Sequence, residues 1–151
     1  MAVSKIWKVT VRLAQVIDYA TNPEKTAAKK FTPEQYQALA DVLQYAKNEE
    51  KTEREFYVDG INCNASTARD QFVTVKEQFG KPDGIQAYHG YLSFKEEDIS
   101  PELAQKIGME FANRVWGKRF QVVVTTHLNT KHLHCHFVIN SISFVDGKHL
   151  W

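Results

Sequence analysis

HLNTKHLHCHFVIN, running from His127 to Asn140, holds four of the chain's six histidines. His132, His134 and His136 alternate with bulky apolar residues. In a strand alternate side chains share a face, so all three imidazoles are expected to point the same way. His127 stands before a polar break, Asn129 to Lys131, which reads as a hairpin turn returning to the same sheet. Two strands are predicted, Phe120 to Thr126 and His132 to Ser143. On the first, Gln121, Val123, Thr125 and His127 fall on one face and Phe120, Val122, Val124 and Thr126 on the other. Cys135, out of phase with the histidines, is expected to face the core.

The chain has 151 residues, of which 43% are hydrophobic, enough for one domain with a sizeable core. Its two cysteines, Cys63 and Cys135, are far apart and form no CxxC, which argues against a disulfide scaffold or a thiolate zinc site. Lys5, Lys8, Arg12 and Asp18 interrupt the apolar residues of the N-terminus, so neither a signal peptide nor a membrane span is expected, and the protein reads as soluble and cytoplasmic. The formal net charge is only +1. Its distribution is uneven: Lys5, Lys8, Arg12, Lys25, Lys29 and Lys30 outnumber Asp18 and Glu24 in the first thirty residues. A local basic surface of this kind can track a phosphate backbone.

Taken from the start, a short strand is predicted over Lys5 to Thr10, then a helix from Arg12 to Ala20 with Leu13, Val16 and Ile17 as its buried stripe. Tyr19 lies near the end of that helix, before the Asn22-Pro23 stop. Thr32, Pro33 and Gln35 form a capping-box pattern for a second helix to Lys47, with Tyr36, Leu39, Ala40, Leu43 and Ala46 as its stripe. A charged connector, Lys47 to Arg54, leads to a strand over Phe56 to Ile61. A third helix, Ala68 to Phe79, places Phe72, Val75, Lys76 and Phe79 together, with the Lys76 stem over the stripe and its ammonium in water. Ile85 to Phe94 is the next strand, with Ala87, His89, Tyr91 and Ser93 on one face. Ser100, Pro101 and Glu102 open a helix to Trp116, whose apolar side is predicted to be Leu103, Ile107, Phe111, Val115 and Trp116. Arg114, Lys118 and Arg119 make its far end basic, which also suits the helix dipole. The sum is an α/β (α+β) sandwich with a largely antiparallel sheet of about four or five strands and three or four helices.

Neutral imidazoles ligate manganese, iron, nickel, copper or zinc, and magnesium is tolerated though it prefers oxygen. A three-histidine site leaves positions open for a water or phosphate oxygen. His134 and His136 lie well inside the strand, and the third ligand is His127 or His132; His132 shares the face nearest the turn, but His127, approaching from the neighbouring strand, closes a compact triangle and is preferred. His132 is then an orienting group or proton relay, and His89 a further candidate on its own strand. Tyr19 supplies a nucleophile: attack on a phosphodiester would conserve the phosphoryl bond as a phosphotyrosine and permit later rejoining.

HLNTKHLHCHFVIN resembles the third motif of conjugative relaxases of the VirD2-like, mobilisation-nuclease class, within the larger HUH endonuclease superfamily. There a first histidine is followed seven residues later by a histidine, x, histidine pair, here His127, His134 and His136. YATNPEKT is similar to the nucleophile motif and places the catalytic tyrosine at Tyr19. YHGYLSFKEEDISPELAQKIGMEFANR is similar to the central segment around His89 and Ser93. The usual aspartate two residues after the first histidine is Asn129 here, an amide able to orient a histidine but not to act as an anionic base. The glutamine usual before the SF pair is Leu92.

The resemblance implies an HUH-type fold, a single catalytic domain over 1–151 at the N-terminal part of a longer protein, and a metal-dependent, strand-specific nickase of origin-of-transfer DNA. It implies manganese or magnesium as the ion, a 5′-phosphotyrosyl intermediate, and accessory relaxosome and coupling proteins as partners. Lys25, Lys29, Lys30, Arg114, Lys118, Arg119 and Lys131 are candidate DNA contacts. Three other readings stay open: a rolling-circle initiator of the same superfamily, a cupin-type metal enzyme, and a catalytically silent DNA- or metal-binding module. A cupin barrel would need more strands and fewer long helices than the pattern supplies.

Overall fold

The computed structural model describes residues 2–9, 33–46, 57–95, 99–128 and 132–150. The expected helix at Arg12 to Ala20, the Lys47 to Arg54 connector and the Asn129 to Lys131 turn lie outside the described residues, as do Tyr19, Lys25, Lys29 and Lys30. Among the described residues five strands, β1 (Ala2–Val9), β2 (Val58–Ile61), β3 (Ala87–Phe94), β4 (Val122–His127) and β5 (His134–Asn140), form one sheet in the order β1-β3-β5-β4-β2. Every neighbouring pair is antiparallel. Among the described residues three helices accompany it: α1 (Pro33–Ala46), α2 (Ala68–Gln78) and α3 (Pro101–Trp116). The α/β sandwich with an antiparallel sheet is therefore the observed architecture, and a single sheet between helices is not a cupin barrel.

Period-two alternation sorts the strand residues into two cores. On one face Ala87, Val123 and Val138 pack against Leu39, Val42, Leu43 and Ala46 of α1 and Ala68, Phe72 and Val73 of α2. On the other, Tyr88, Leu92, Phe94, Val122, Val124, Cys135, Phe137 and Ile139 meet Ala104 and Ala112 of α3. Cys135 faces this second core as expected.

Local signals set the helix starts. Ser100 accepts from Leu103 N at 3.1 Å ahead of Pro101, and Asn64 caps a short 3-10 turn, Ala65–Thr67, that leads into α2. Gly80, at φ 65°, ends the α2 segment.

Three expectations need correction. The stripe of α3 is only partly the one predicted: Ile107, Phe111 and Trp116 pack against the second core, but Leu103 and Val115 are 44% and 54% exposed, and Ala104, Gly108 and Ala112 face the sheet. The reason is proximity, since a Cβ on Gly108 would lie 2.8 Å from Cys135 Sγ and 3.3 Å from Val124 Cγ1. Large side chains are displaced to the flanks, where Phe111 and Trp116 pack around Phe137. The second correction is Lys76, which is wholly buried, its Nζ bonded to Asn140 Oδ1 on β5. Burial pushes its amine well below the usual lysine range. Asn140 also donates to Gln121 Oε1 at 2.9 Å and to the Phe72 carbonyl at 3.3 Å, so the Lys76 amine is drawn into a polar network between α2 and the sheet. Lastly, in α1 the buried positions beside Leu39 and Leu43 are Ala38 and Val42, with Ala40 only half-buried.

Candidate functional site

The histidine face is the one covered by α1 and α2. In β5, the middle strand, His136 lies opposite Tyr91 of β3 on one side and Thr125 of β4 on the other. His134 lies opposite Ser93 and His127. His89 faces Val138, one pleat along on β3. Parity therefore gathers His89, Tyr91, Thr125, His127, His134 and His136 on one side of three adjacent strands.

Their rings interact. His89 Nε2 and His136 Nδ1 are 3.0 Å apart in a shared hydrogen bond. The rings of His127 and His136 stack with centroids 3.9 Å apart, and Tyr91 stacks on His134 at 5.5 Å with planes inclined by 14°. His127 Nε2 lies 2.9 Å from the Ala46 carbonyl at the end of α1. Burial, reinforced by the charge of a neighbouring His127, pushes His89 down to about 4. Burial, and then the charge of His132, lowers His134 as well. Both are neutral imidazoles at neutral pH, the form that ligates a metal.

Behind the sheet, Gln105 of α3 fixes the end of β4 that carries His127. Its Nε2 donates to Asp59 Oδ2 at 2.9 Å and to the Val124 carbonyl at 3.1 Å, while its Oε1 accepts from Thr126 Oγ1 at 2.7 Å. Cys135, between His134 and His136, donates to the Ala104 carbonyl at 2.9 Å. The strand ends that bear the histidines are thus pinned to α3 by buried polar bonds.

The chain belongs to the relaxases. The model that matches it is that of the MobA/VirD2-like relaxase, nuclease domain, over residues 45–150, the span that contains this face. Among curated relatives of this relaxase nuclease domain, a protein rlx of Staphylococcus aureus is 38% identical over 89 residues, 59% of this chain and 28% of the relative. Another rlx from that organism is 32% identical over 96 residues, 64% of this chain and 30% of the relative. The group II intron-interrupted relaxase LtrB of Lactococcus lactis subsp. cremoris (strain MG1363) is 25% identical over 142 residues, 90% of this chain and 24% of the relative. The chain spans under a third of the length of these relatives.

Of the residues singled out in the sequence, the relaxase fold brings His89, His127, His134 and His136 together. His132 sits just ahead of β5 rather than within it, so the strand carries two of the three alternating histidines. Arg114 stands in the last turn of α3, and Lys118 and Arg119 precede β4, whose first residue, Val122, lies about 17 Å along the strand from His127 at a rise of ~3.3 Å per residue. Arg114 is paired with Glu110 at 2.6 Å and Arg119 with Asp146 at 3.3 Å. Asn129 and Lys131 are outside the described residues, and Tyr19 also precedes the matched span. Tyr91 and Thr125 received no role from the sequence, although strand parity already placed them on this face.

As to a metal, no group of three or more His, Cys, Asp or Glu among the described residues is arranged to hold an ion. The rings bond to one another and to Ala46 instead. The donor set nevertheless fits a divalent ion: clustered neutral imidazoles beside a fully buried Thr125 hydroxyl that has no hydrogen-bond partner among the described residues. Ligation of an ion through His127 Nε2 requires that nitrogen to give up the Ala46 carbonyl. No described helix is long and apolar enough to cross a membrane.

Proposed function

We propose that this chain is the catalytic domain, 1–151, of a longer relaxase: a metal-dependent, site- and strand-specific endonuclease and transesterase acting on single-stranded origin-of-transfer DNA in the cytoplasm. The observation that carries the reading is the gathering of His89, His127, His134 and His136 on one face of three central strands within a relaxase nuclease domain. In this reading His127, His134 and His136 hold manganese or magnesium, and the ion's contribution is to offset the negative charge that grows on the scissile phosphate.

His89, through its bond to His136 Nδ1, keeps the other nitrogen of that ring turned outward as a ligand. The Tyr19 hydroxyl attacks the phosphorus, the bond to the 3′ oxygen breaks, that oxygen takes a proton from water, and a 5′-phosphotyrosyl linkage and a free 3′-hydroxyl result. His132, half-buried ahead of β5, takes the tyrosine proton, and Asn129 orients a neighbouring imidazole. Reversal, with the 3′-hydroxyl attacking the linkage, rejoins the strand. Lys25, Lys29, Lys30 and Lys131 hold the DNA backbone, Arg114, Lys118 and Arg119 a more distant part of it, and accessory relaxosome and coupling proteins complete the assembly.

The test is a denaturing gel of the protein incubated with single-stranded origin DNA and manganese. A covalent DNA-protein species should form with the wild type and be absent with Tyr19→Phe. An adduct that survives the substitution would rule out Tyr19 as the nucleophile.

A further inference from the structure

Thr125 is fully buried in β4, and its Oγ1 has no hydrogen-bond partner among the described residues. A buried hydroxyl in that state costs folding free energy that a valine of the same shape would not, so its presence asks for a partner. Its place is specific. Thr125 precedes His127 by two residues on the same face of the same strand and faces His136 across the ladder.

The tautomer of His127 indicates what the partner is. The Ala46 carbonyl can only accept, so the hydrogen bond at 2.9 Å puts the ring proton on Nε2 and the lone pair on Nδ1. A histidine that ligates through Nε2 must carry its proton on Nδ1, and in a buried site that Nδ1–H needs an acceptor of its own. Thr125, two residues from His127 on this face, carries a buried hydroxyl oxygen with no hydrogen-bond partner among the described residues.

We propose that Thr125 is a positioning residue for His127: its hydroxyl accepts the Nδ1–H of His127 when Nε2 turns from the Ala46 carbonyl to a divalent ion. The number of protons on the ring does not change, since one leaves Nε2 to water and one is taken from water at Nδ1. The proposal rests on the reading of His127 as a ligand.

The experiment titrates Mn2+ into the 151-residue wild type, Thr125→Val, Thr125→Ser and His127→Ala by calorimetry, with thermal melts of each in the absence of ion. Valine should weaken Mn2+ binding by about 10- to 100-fold, as loss of a ligand's hydrogen-bond partner does elsewhere, while melting no lower than the wild type without ion. Serine should restore the affinity.

Wild-type affinity in the valine variant, with binding lost in His127→Ala, overturns the role of Thr125 and leaves the metal site standing. Wild-type affinity in His127→Ala overturns the metal reading itself. A valine variant that melts well below the wild type without ion shows that the hydroxyl is already partnered there, and the proposal fails. A measurement on the wild type alone decides the tautomer: in 15N spectra with Zn2+ as a diamagnetic probe, the protonated nitrogen of His127 should move from Nε2 to Nδ1. A proton that stays on Nε2 with the ion on Nδ1 refutes the assignment.

Discussion

Gly108→Ala is a sensitive probe of how closely α3 lies on the histidine-bearing strand. In an isolated helix the substitution would stabilise by about 1 kcal/mol, because glycine is the poorer helix former by that amount. Here the new methyl would lie 2.8 Å from Cys135 Sγ, 3.1 Å from Cys135 Cβ and 3.3 Å from Val124 Cγ1. Cys135 cannot yield cheaply, since its short side chain is held at 2.9 Å on the Ala104 carbonyl and at 3.3 Å beside Thr126 Oγ1. Overpacking of this kind costs about 1–3 kcal/mol, so the net effect is a loss of about 0–2 kcal/mol, centred near 1. For a domain of this size a loss of 1 kcal/mol lowers Tm by about 2–4 °C.

In a Cys135→Ala background the sulfur is gone, and the same change should be neutral or stabilising. The double-mutant cycle should therefore show a coupling of at least about 1 kcal/mol, within the range seen for residues in contact. Urea denaturation of the four proteins measures it. A Gly108→Ala protein that is stabilised by the full helix-propensity gain, with no coupling to position 135, would refute the close approach. Since Cys135 stands between His134 and His136, the single variant should also weaken Mn2+ binding more than its stability loss implies.

Lys76→Met addresses the buried amine. Because the folded-state pKa is lowered, the unfolded chain binds the extra proton between that value and the unfolded lysine's value of about 10.4, so wild-type stability rises with pH in this window. Relative to Lys76→Met, the wild type should lose stability as pH falls from about 10 toward neutral; an identical difference at both ends, by chemical denaturation, would contradict a lowered amine pKa. His89→Ala removes the partner of His136 Nδ1 and is expected to weaken Mn2+ affinity by about 10- to 100-fold, read by calorimetry. Unchanged affinity would mean that His136 needs no such support.

Much of this protein is legible in the sequence because it depends on backbone period. Alternation along Phe120 to Thr126 and around His134 and His136 separates histidines from core residues before any contact is known, and Cys135 lies on the side that parity requires. Ser100-Pro101 marks the start of α3 by local capping chemistry, which needs no distant partner. The resemblance of HLNTKHLHCHFVIN to a relaxase motif is also carried by linear spacing, and the family match agrees with it.

What the sequence could not supply is which elements touch. His89 and His136 are 47 residues apart, and only the placement of β3 beside β5 brings their rings within hydrogen-bond distance. Helical period suggested Leu103 and Val115 for the buried side of α3, yet the sheet accepts the helix along Ala104, Gly108 and Ala112, because only small residues allow that approach. Lys76 read as a wetted amine until Asn140, at the end of β5, met it across the core. The faces of the strands, the helix starts and the histidine spacing could be read along the chain, since these follow from local chemistry and from geometry repeated every two or every 3.6 residues. The tertiary structure decided the neighbours of those histidines, the tautomer of His127 and the burial of Lys76, because each depends on side chains brought together through space from separate strands and helices.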